Sequence, residues 1–439
     1  MSLEIVAYTQ EMVAAVREFN QRLLAGGALA DQQFPETPDP GWMPAMELFL
    51  VVEGSMVRGG YILRRQSFSV AGATLPAAHY RLPLAEGIVN RSYAMLGLRM
   101  VRDALAREPR LYALGMGGGD QPLPAMLRRL GWSTCAVPFY FKVLHPARFL
   151  RHIEVLRTTP LRRAALDAAA YTGASWLAME ALALFSRAAR RLPVCAVDLA
   201  PGFAPWADEV WERSRPAYAL MAQRDAATLE QLYPASDPRF LRVRAADGWA
   251  VVLDTQMEGH KQFGNMRVGT IVDCLAPPES AGAVIRAAAG LLEQRGVDLI
   301  ISNQLHGAWC TALVESGFRM GPSNYLLALS PALAEAAGGE KMRSQAVDRL
   351  KPVPPFPAQA ESDATYFLPG PGLRIPRKWL GGPAVQPEKP ASRPKSDFDI
   401  WMGGSRPGVS SPQRTPGLGV PPTSPFHFNR GDGDGPIHL

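Results

Sequence analysis

The chain has 439 residues, 47% of them hydrophobic and 20% charged, which exceeds the size at which a single core stops growing and makes two globular domains the expectation. Its 46 Lys and Arg against 40 Asp and Glu leave a formal charge of +6; the excess is spread along the chain without basic–aromatic interleaving, which excludes nucleic acid as the expected partner. Cys135, Cys195, Cys274 and Cys310 stand without a CxxC pair or a His at ligand spacing, which excludes a zinc site and a disulfide framework, and the opening MSLEIVAYTQEMV lacks the order of a secretory signal, which predicts a cytoplasmic protein.

Helical periodicity covers Met12–Leu24, and Leu48–Val52, Val57–Val70 and Leu82–Val89 read as strands punctuated by Gly59-Gly60 and Gly72. A helix over Leu96–Arg107, a strand over Leu111–Met116, a helix over Leu123–Leu130 and a strand over Val137–Val143 complete a first set. The Ala-, Leu- and Arg-rich stretch from Pro146 to about Arg191 follows. Its apolar run Ala168–Phe185, interrupted by Glu180, falls short of the roughly 20 nearly uncharged residues of a membrane span, so it predicts a packed helical connector.

Strands at Phe240–Val243, Trp249–Asp254 and Met266–Leu275 open a second set, followed by a helix over Ala283–Gln294, a strand over Val297–Ser302, a helix over Ala308–Glu315 and a strand over Tyr325–Leu329. The order repeats that of the first set. A constant offset of 186 (317 − 131) overlays Leu84–Val89 on Thr270–Leu275, Leu98–Arg107 on Val284–Glu293, Leu111–Gly118 on Val297–Gln304, and Gly131-Trp132 on Gly317-Phe318. Beyond it, Lys351–Phe426 holds 17 prolines and nine glycines, too little apolar surface to offset the entropy of ordering, so disorder is expected there. Phe426, Phe428, Ile437 and Leu439 give the end of the chain apolar anchors for docking back. The expected organisation is therefore a domain at 1–145, a connector at 146–204, a domain at 205–332, a Pro/Gly-rich disordered segment at 333–425 and a tail at 426–439.

In element order and in the closing Gly-aromatic pair, residues 1–145 and 205–332 each resemble the GNAT (acyl-CoA N-acyltransferase) superfamily. The resemblance implies an α/β fold: two domains, each a mixed, mostly antiparallel sheet flanked by helices. It implies acetyl-CoA or another acyl-CoA as co-substrate, with no metal. The coenzyme's pyrophosphate would lie at the helix N-terminus after a splayed strand, where family members carry [Q/R]-x-x-G-x-[G/A] about forty residues before the Gly-aromatic pair. Forty residues before Gly131 stand Arg91-Ser92-Tyr93-Ala94-Met95-Leu96, and forty before Gly317 stand Pro277-Pro278-Glu279-Ser280-Ala281-Gly282. The implied cofactor-binding residues are Arg91, Ser92, Tyr93, Ala94 and Met95, with Ser280 and Gly282 in the second copy.

Glu86, on the strand before the Arg91 junction, is placed to accept the amine proton, and Tyr93 to donate to a phosphate or thioester; the plain alternatives are a satisfied strand-face Glu and, for Ser92, an N-cap. His79 and His306 each stand alone and read as structural. The family's general-acid Tyr, four residues before the Gly-aromatic pair, is replaced here by Leu127 and Leu313. The tandem is similar to Fem-type peptidyltransferases and to exopolysaccharide-associated acyltransferases, the latter also through the ending Phe426–Pro436. The implied activity is acyl transfer to an amine or hydroxyl of a small-molecule or saccharide-linked acceptor. A silent double-GNAT scaffold, favoured by the two leucines, is the alternative; aminoacyl transfer from tRNA lacks the clustered basic surface it needs.

Overall fold

In the computed structural model, residues 2–29, 32–39, 45–70, 72–117, 119, 121–157, 159–171, 198–260, 262–321 and 323–338 are described, and they form a mixed α/β structure of two sheets flanked by helices. The first half supplies β1 (Leu3–Ala7), α1 (Val13–Ala25), β2 (Met46–Glu53), β3 (Met56–Val70), β4 (Ala73–Ala85), α2 (Leu96–Arg107), β5 (Leu111–Gly115), α3 (Pro122–Arg129), β6 (Ser133–Ala136) and β7 (Phe139–Val143). After α4 (Pro146–His152) and α5 (Pro160–Tyr171), the second half supplies β8 (Asp198–Ala200), α6 (Pro205–Ser214), β9 (Leu220–Ala222), α7 (Ala226–Leu232), β10 (Leu241–Ala245), β11 (Gly248–Gln256) and β12 (Arg267–Leu275). It continues with α8 (Ala281–Gln294), β13 (Leu299–Asn303), α9 (Gly307–Glu315), β14 (Arg319–Gly321), β15 (Leu326–Leu329) and α10 (Pro331–Ala336).

The helices form where apolar residues recur at helical spacing. Leu96, Met100, Val101 and Ala104 of α2 make one stripe, which packs on Tyr61, Tyr80 and Leu111 of the first sheet. On α8 the apolar surface is wider, and Val284, Ile285, Ala288, Leu291 and Leu292 are all buried against Trp249 and its neighbours. The Gly-aromatic pairs prove to be helix caps. Gly131 (φ 81°) and Gly317 (φ 86°) take the left-handed conformation that ends α3 and α9, and the following amides of Trp132 and Phe318 donate back to the carbonyls of Leu127 and Leu313. The same two leucines are fully buried at the base of these caps, so these two positions carry packing.

The strands do not stay with their own halves. One sheet runs β1-β2-β3-β4-β5-β15-β6, with β9 continuing alongside β3; the other runs β14-β7-β13-β12-β11-β10-β8. Thus β15 from the second half lies between β5 and β6, and β7 from the first half lies between β13 and β14. Two buried side chains lock the exchange. The Ser330 hydroxyl donates to the Pro109 carbonyl (2.7 Å) and accepts from the amides of Leu111 (2.9 Å) and Leu333 (3.4 Å). The Asp298 carboxylate accepts from the Arg267 amide (3.0 Å), lies 3.0 Å from His145 Nδ1 and 3.2 Å from Arg148.

Among the described residues each sheet contains one parallel pair, and each pair splays. β4 and β5 share only Ala78↔Leu111 and His79↔Tyr112; β12 and β13 share Val268↔Leu299 through Ile271↔Ser302. The expected strand Leu82–Val89 is corrected: β4 bulges opposite Gly60–Ile62, with Leu82 at φ 43°, and ends at Ala85, after which Glu86–Ile88 form a 3-10 turn. Consequently the strand ends lie 190 residues apart (275 − 85) while Gly131 and Gly317 keep the offset of 186 (317 − 131). Likewise Val137–Val143 is interrupted by Pro138, and β6 and β7 join different sheets. The connector is helical over α4 and α5; residues 172–197, the segment after 338 and the tail at 426–439 lie outside the described residues. Among the described residues no helix is long and apolar enough to cross a membrane.

Candidate functional site

Glu86 heads the 3-10 turn that follows β4 and is buried there. Both of its carboxylate oxygens accept from Arg58 at 3.1 Å, and one lies 3.4 Å from Arg22. Arg58 also pairs with Glu53 at 3.0 Å and lies 4.7 Å from the centre of the Tyr93 ring, while the Tyr93 hydroxyl donates to Glu53 at 2.8 Å. The bond from Tyr93 lowers the Glu53 pKa, and the same bond raises that of Tyr93. Glu86 and Tyr93 therefore meet through one ion network that braces the β2–β3 hairpin against the turn before α2. Gly87 makes that turn possible: a Cβ there would come within 2.6 Å of the Tyr93 carbonyl oxygen.

Arg91 is exposed at the head of a second 3-10 turn, Arg91–Tyr93. Its Asn90 cap accepts from the Ser92 amide through its side chain and from the Tyr93 amide through its carbonyl, both at 3.1 Å, and the Ala94 amide donates to Arg91. The N–H groups of Ser92, Tyr93 and Ala94 are thus engaged within the turn. Met95, exposed, precedes the first residue of α2, whose leading amides have no intrahelical acceptors.

Ser280 and Gly282 line a depression of about 450 Å³ between the start of α8 and α9, with Pro278, Arg286, Thr311 and Glu315. The Arg286 guanidinium folds back over the helix start, so that a Cβ on Gly282 would lie 3.0 Å from its Nη1. Its Nε is buried and makes no hydrogen bond among the described residues. First-turn amides and a guanidinium share this concave surface with the carboxylates of Glu279 and Glu315.

The two splays differ. In the second, the Tyr218 hydroxyl donates to the Ala276 carbonyl (2.7 Å) just past β12 and accepts from Trp309 Nε1 (3.0 Å). Both rings are buried, and burial pushes the Tyr218 pKa up. In the first, no hydrogen bond joins Leu84–Glu86 to Gly115–Gly117 among the described residues, and β5 runs out through Gly115, Met116 and Gly117 at φ 86°, 63° and 72°. Met116 holds a conformation that costs a non-Gly residue about 1–3 kcal/mol, of the kind that gathers at ligand sites.

The largest feature absent from the sequence-based site lies in the seam between the sheets, where Arg64, His79, Arg81, Arg224 and Asp273 are all buried. Their clearest trace in the sequence is on β4, where His79 and Arg81 alternate with Tyr80 in a mostly apolar stretch; on β3 Arg64 stands in the polar run Arg64–Ser67 and gives no such signal. Among the described residues no group of His, Cys, Asp and Glu is arranged to hold a metal ion.

No protein-family model and no curated protein matches the sequence. Among solved structures, the chain is similar to the GCN5-related N-acetyltransferase of Kribbella flavida, at 16% identity and a TM-score of 0.44, over 76% of this chain and 72% of that one. It is similar to Saccharomyces cerevisiae N-myristoyltransferase with bound myristoyl-CoA, at 12% identity and a TM-score of 0.43, over 75% and 79% of the two chains. Eis1 of Mycobacterium abscessus matches at 16% identity and a TM-score of 0.41, over 76% of each chain.

Proposed function

We propose that this chain is an acyltransferase that takes an acyl group from acyl-CoA, acetyl-CoA being the simplest donor, and passes it to an amine or hydroxyl of a small-molecule or saccharide-linked acceptor. The observation that carries the reading is the unbridged splay of the first sheet: after two pairs β4 leaves β5, and its edge from Tyr80 to Ala85 has no β5 partner. Unpaired strand edges present backbone groups that an extended, amide-bearing arm satisfies as an added strand would. The acyl-pantetheine arm lies there in this reading, and its diphosphate meets Arg91 and the leading amides of α2.

Closed by Tyr218 and Trp309, the second splay serves as a wall rather than a second reaction centre, which leaves one working copy in the tandem. With both Glu86 oxygens held by Arg58, Glu86 and Tyr93 act as positioning residues for the turn. Catalysis then relies on orientation of the amine and on an N–H donor to the thioester oxygen.

Isothermal titration with acetyl-CoA and longer acyl-CoAs tests the reading. Arg91→Ala should weaken binding roughly ten- to a hundredfold, the equivalent of a lost charge-assisted hydrogen bond of about 1.5–3 kcal/mol. Absence of binding by the unaltered chain overturns the proposal. Binding unchanged by Arg91→Ala but lost in Gly282→Glu moves the diphosphate to the depression at α8.

A further inference from the structure

Helix α5 reverses the usual order of a surface helix. One face of the second sheet is covered by α4, whose Phe149 and Ile153 pack on Met266, Val268, Leu299 and Ile301, and α5 lies on α4. Arg157 ties the two helices: it donates to the Leu150 carbonyl at 3.0 Å and pairs with Asp167 at 2.8 and 3.0 Å. Ala170 is buried on the inner side of α5. On the outer side Leu161, Ala164, Ala165, Ala168 and Tyr171 fall at helical spacing on one face. All five are exposed, Leu161 to 81% and Tyr171 to 77%. A helix on a protein surface ordinarily turns such a stripe toward the core and its charges toward water.

The surroundings of this face are basic. Residues 145–171 hold five arginines against Glu154 and Asp167, and Asp167 is taken by Arg157. The Nε groups of Arg151 and Arg163 donate to carbonyls, that of Ala147 at 3.3 Å and that of Arg157 at 2.8 Å, bonds that leave both positive charges in place. The Arg151 guanidinium lies 5.5 Å from the centre of the Tyr171 ring, at the C-terminal end of the stripe. Charge then selects the occupant. A second copy of α5 would bring the same arginines, and residues 172–197, with Arg187, Arg190 and Arg191 against Glu180, carry the same sign. Nucleic acid complements the charge and leaves Leu161 and the alanines unmatched. An anionic bilayer complements both, with the aromatic ring at headgroup level and the cations on lipid phosphates. With 12 residues α5 is about 18 Å long, too short for a hydrocarbon core of about 30 Å, so it would lie along such a surface rather than cross it.

We propose that the outer face of α5 is a docking surface for an anionic lipid bilayer. Leu161 and Tyr171 enter the boundary between headgroups and acyl chains, and Arg151 and Arg163 meet the phosphates. The proposal stands apart from the acyltransferase reading, since it uses no residue of the first splay.

The test is co-sedimentation of the full chain, without acyl-CoA, with vesicles of phosphatidylcholine and with vesicles of phosphatidylcholine mixed with phosphatidylglycerol. The chain should bind the mixed vesicles and prefer them to phosphatidylcholine alone. Leu161→Asp combined with Tyr171→Asp should weaken that binding about tenfold or more, and Arg151→Gln and Arg163→Gln about fivefold each. All of these variants should keep the urea midpoint of the unaltered chain, because the side chains changed are on the surface. On the vesicles, hydrogen exchange should slow over residues 160–171 and not in α8. No binding to the mixed vesicles, equal binding to both kinds, or binding that survives Leu161→Asp with Tyr171→Asp overturns the proposal. So does loss confined to the arginine variants together with binding to RNA, which would make the surface a polyanion site. A lower urea midpoint in the Leu161 and Tyr171 variant, or a dimer that the variant dissolves, also overturns it, since the chain itself or a second copy would then cover the face. With acyl-CoA absent throughout, none of these outcomes bears on coenzyme binding.

Discussion

His79 stacks on Tyr112 with ring centroids 4.5 Å apart, and burial, followed by repulsion from Arg81 and Arg64, holds its pKa well below the usual 6.5. The folded chain therefore keeps this imidazole neutral while the unfolded chain protonates it below about pH 6.5. The contribution to stability is complete above that value and is lost as the pH falls through the window beneath it, at up to about 1.4 kcal/mol per pH unit. His79→Gln should flatten the pH dependence of the urea midpoint between roughly pH 7 and 5 relative to the unaltered chain; superposable profiles would remove His79 as the cause. A structural reading of His79 follows from its isolation in the sequence, but its surroundings do not, since Arg224 lies far along the chain and arrives only through β9. The same distance hides the partners of Glu86: Arg22 and Arg58 sit on α1 and β3, and sequence spacing says nothing of a network built across a sheet.

Helices α2, α3, α8 and α9 were legible to within about two residues because their apolar stripes and closing glycines are local signals. The end of β4 was not, because a bulge and a 3-10 turn leave the alternation of apolar residues almost intact while changing which residue faces where. Short elements such as β9 and β14, three residues each, carry too few residues to show a period at all. Ser330 before Pro331 is a local signal of a helix start, but nothing local shows that the hydroxyl capping α10 at the same time serves β5 of the other half. Ser330→Ala should orphan the buried Leu111 amide and remove the cap, at a cost of about 1–3 kcal/mol, read as a lower urea midpoint with an unchanged slope. A loss within about 0.5 kcal/mol would show that the latch is dispensable.

At the scale of the whole molecule, the order of elements and the doubling of that order are readable in the chain, whereas the neighbour of each strand is not. β7 and β15 are both short apolar runs, and alternation assigns a strand its buried face without naming its partner. The exchange has a direct consequence for folding. Among the described residues β6 pairs only with β15 and β14 only with β7, while β5 has two register positions on β4 against four on β15. A fragment of residues 1–145 would thus leave β6 without a partner and β5 held by two pairs, exposing the apolar surface that Leu327 and Leu329 cover. A fragment of 198–338 would equally lose β7 from between β13 and β14, together with the His145 and Arg148 contacts that a buried Asp298 carboxylate needs. Each fragment alone should therefore lack a cooperative urea transition and bind a hydrophobic dye, while the full chain unfolds in one step and a mixture of the two fragments, refolded together, recovers it. Cooperative unfolding of residues 1–145 by themselves would mean that the first sheet closes without β15, and the strand exchange would then be a contact between finished domains rather than a condition of their folding.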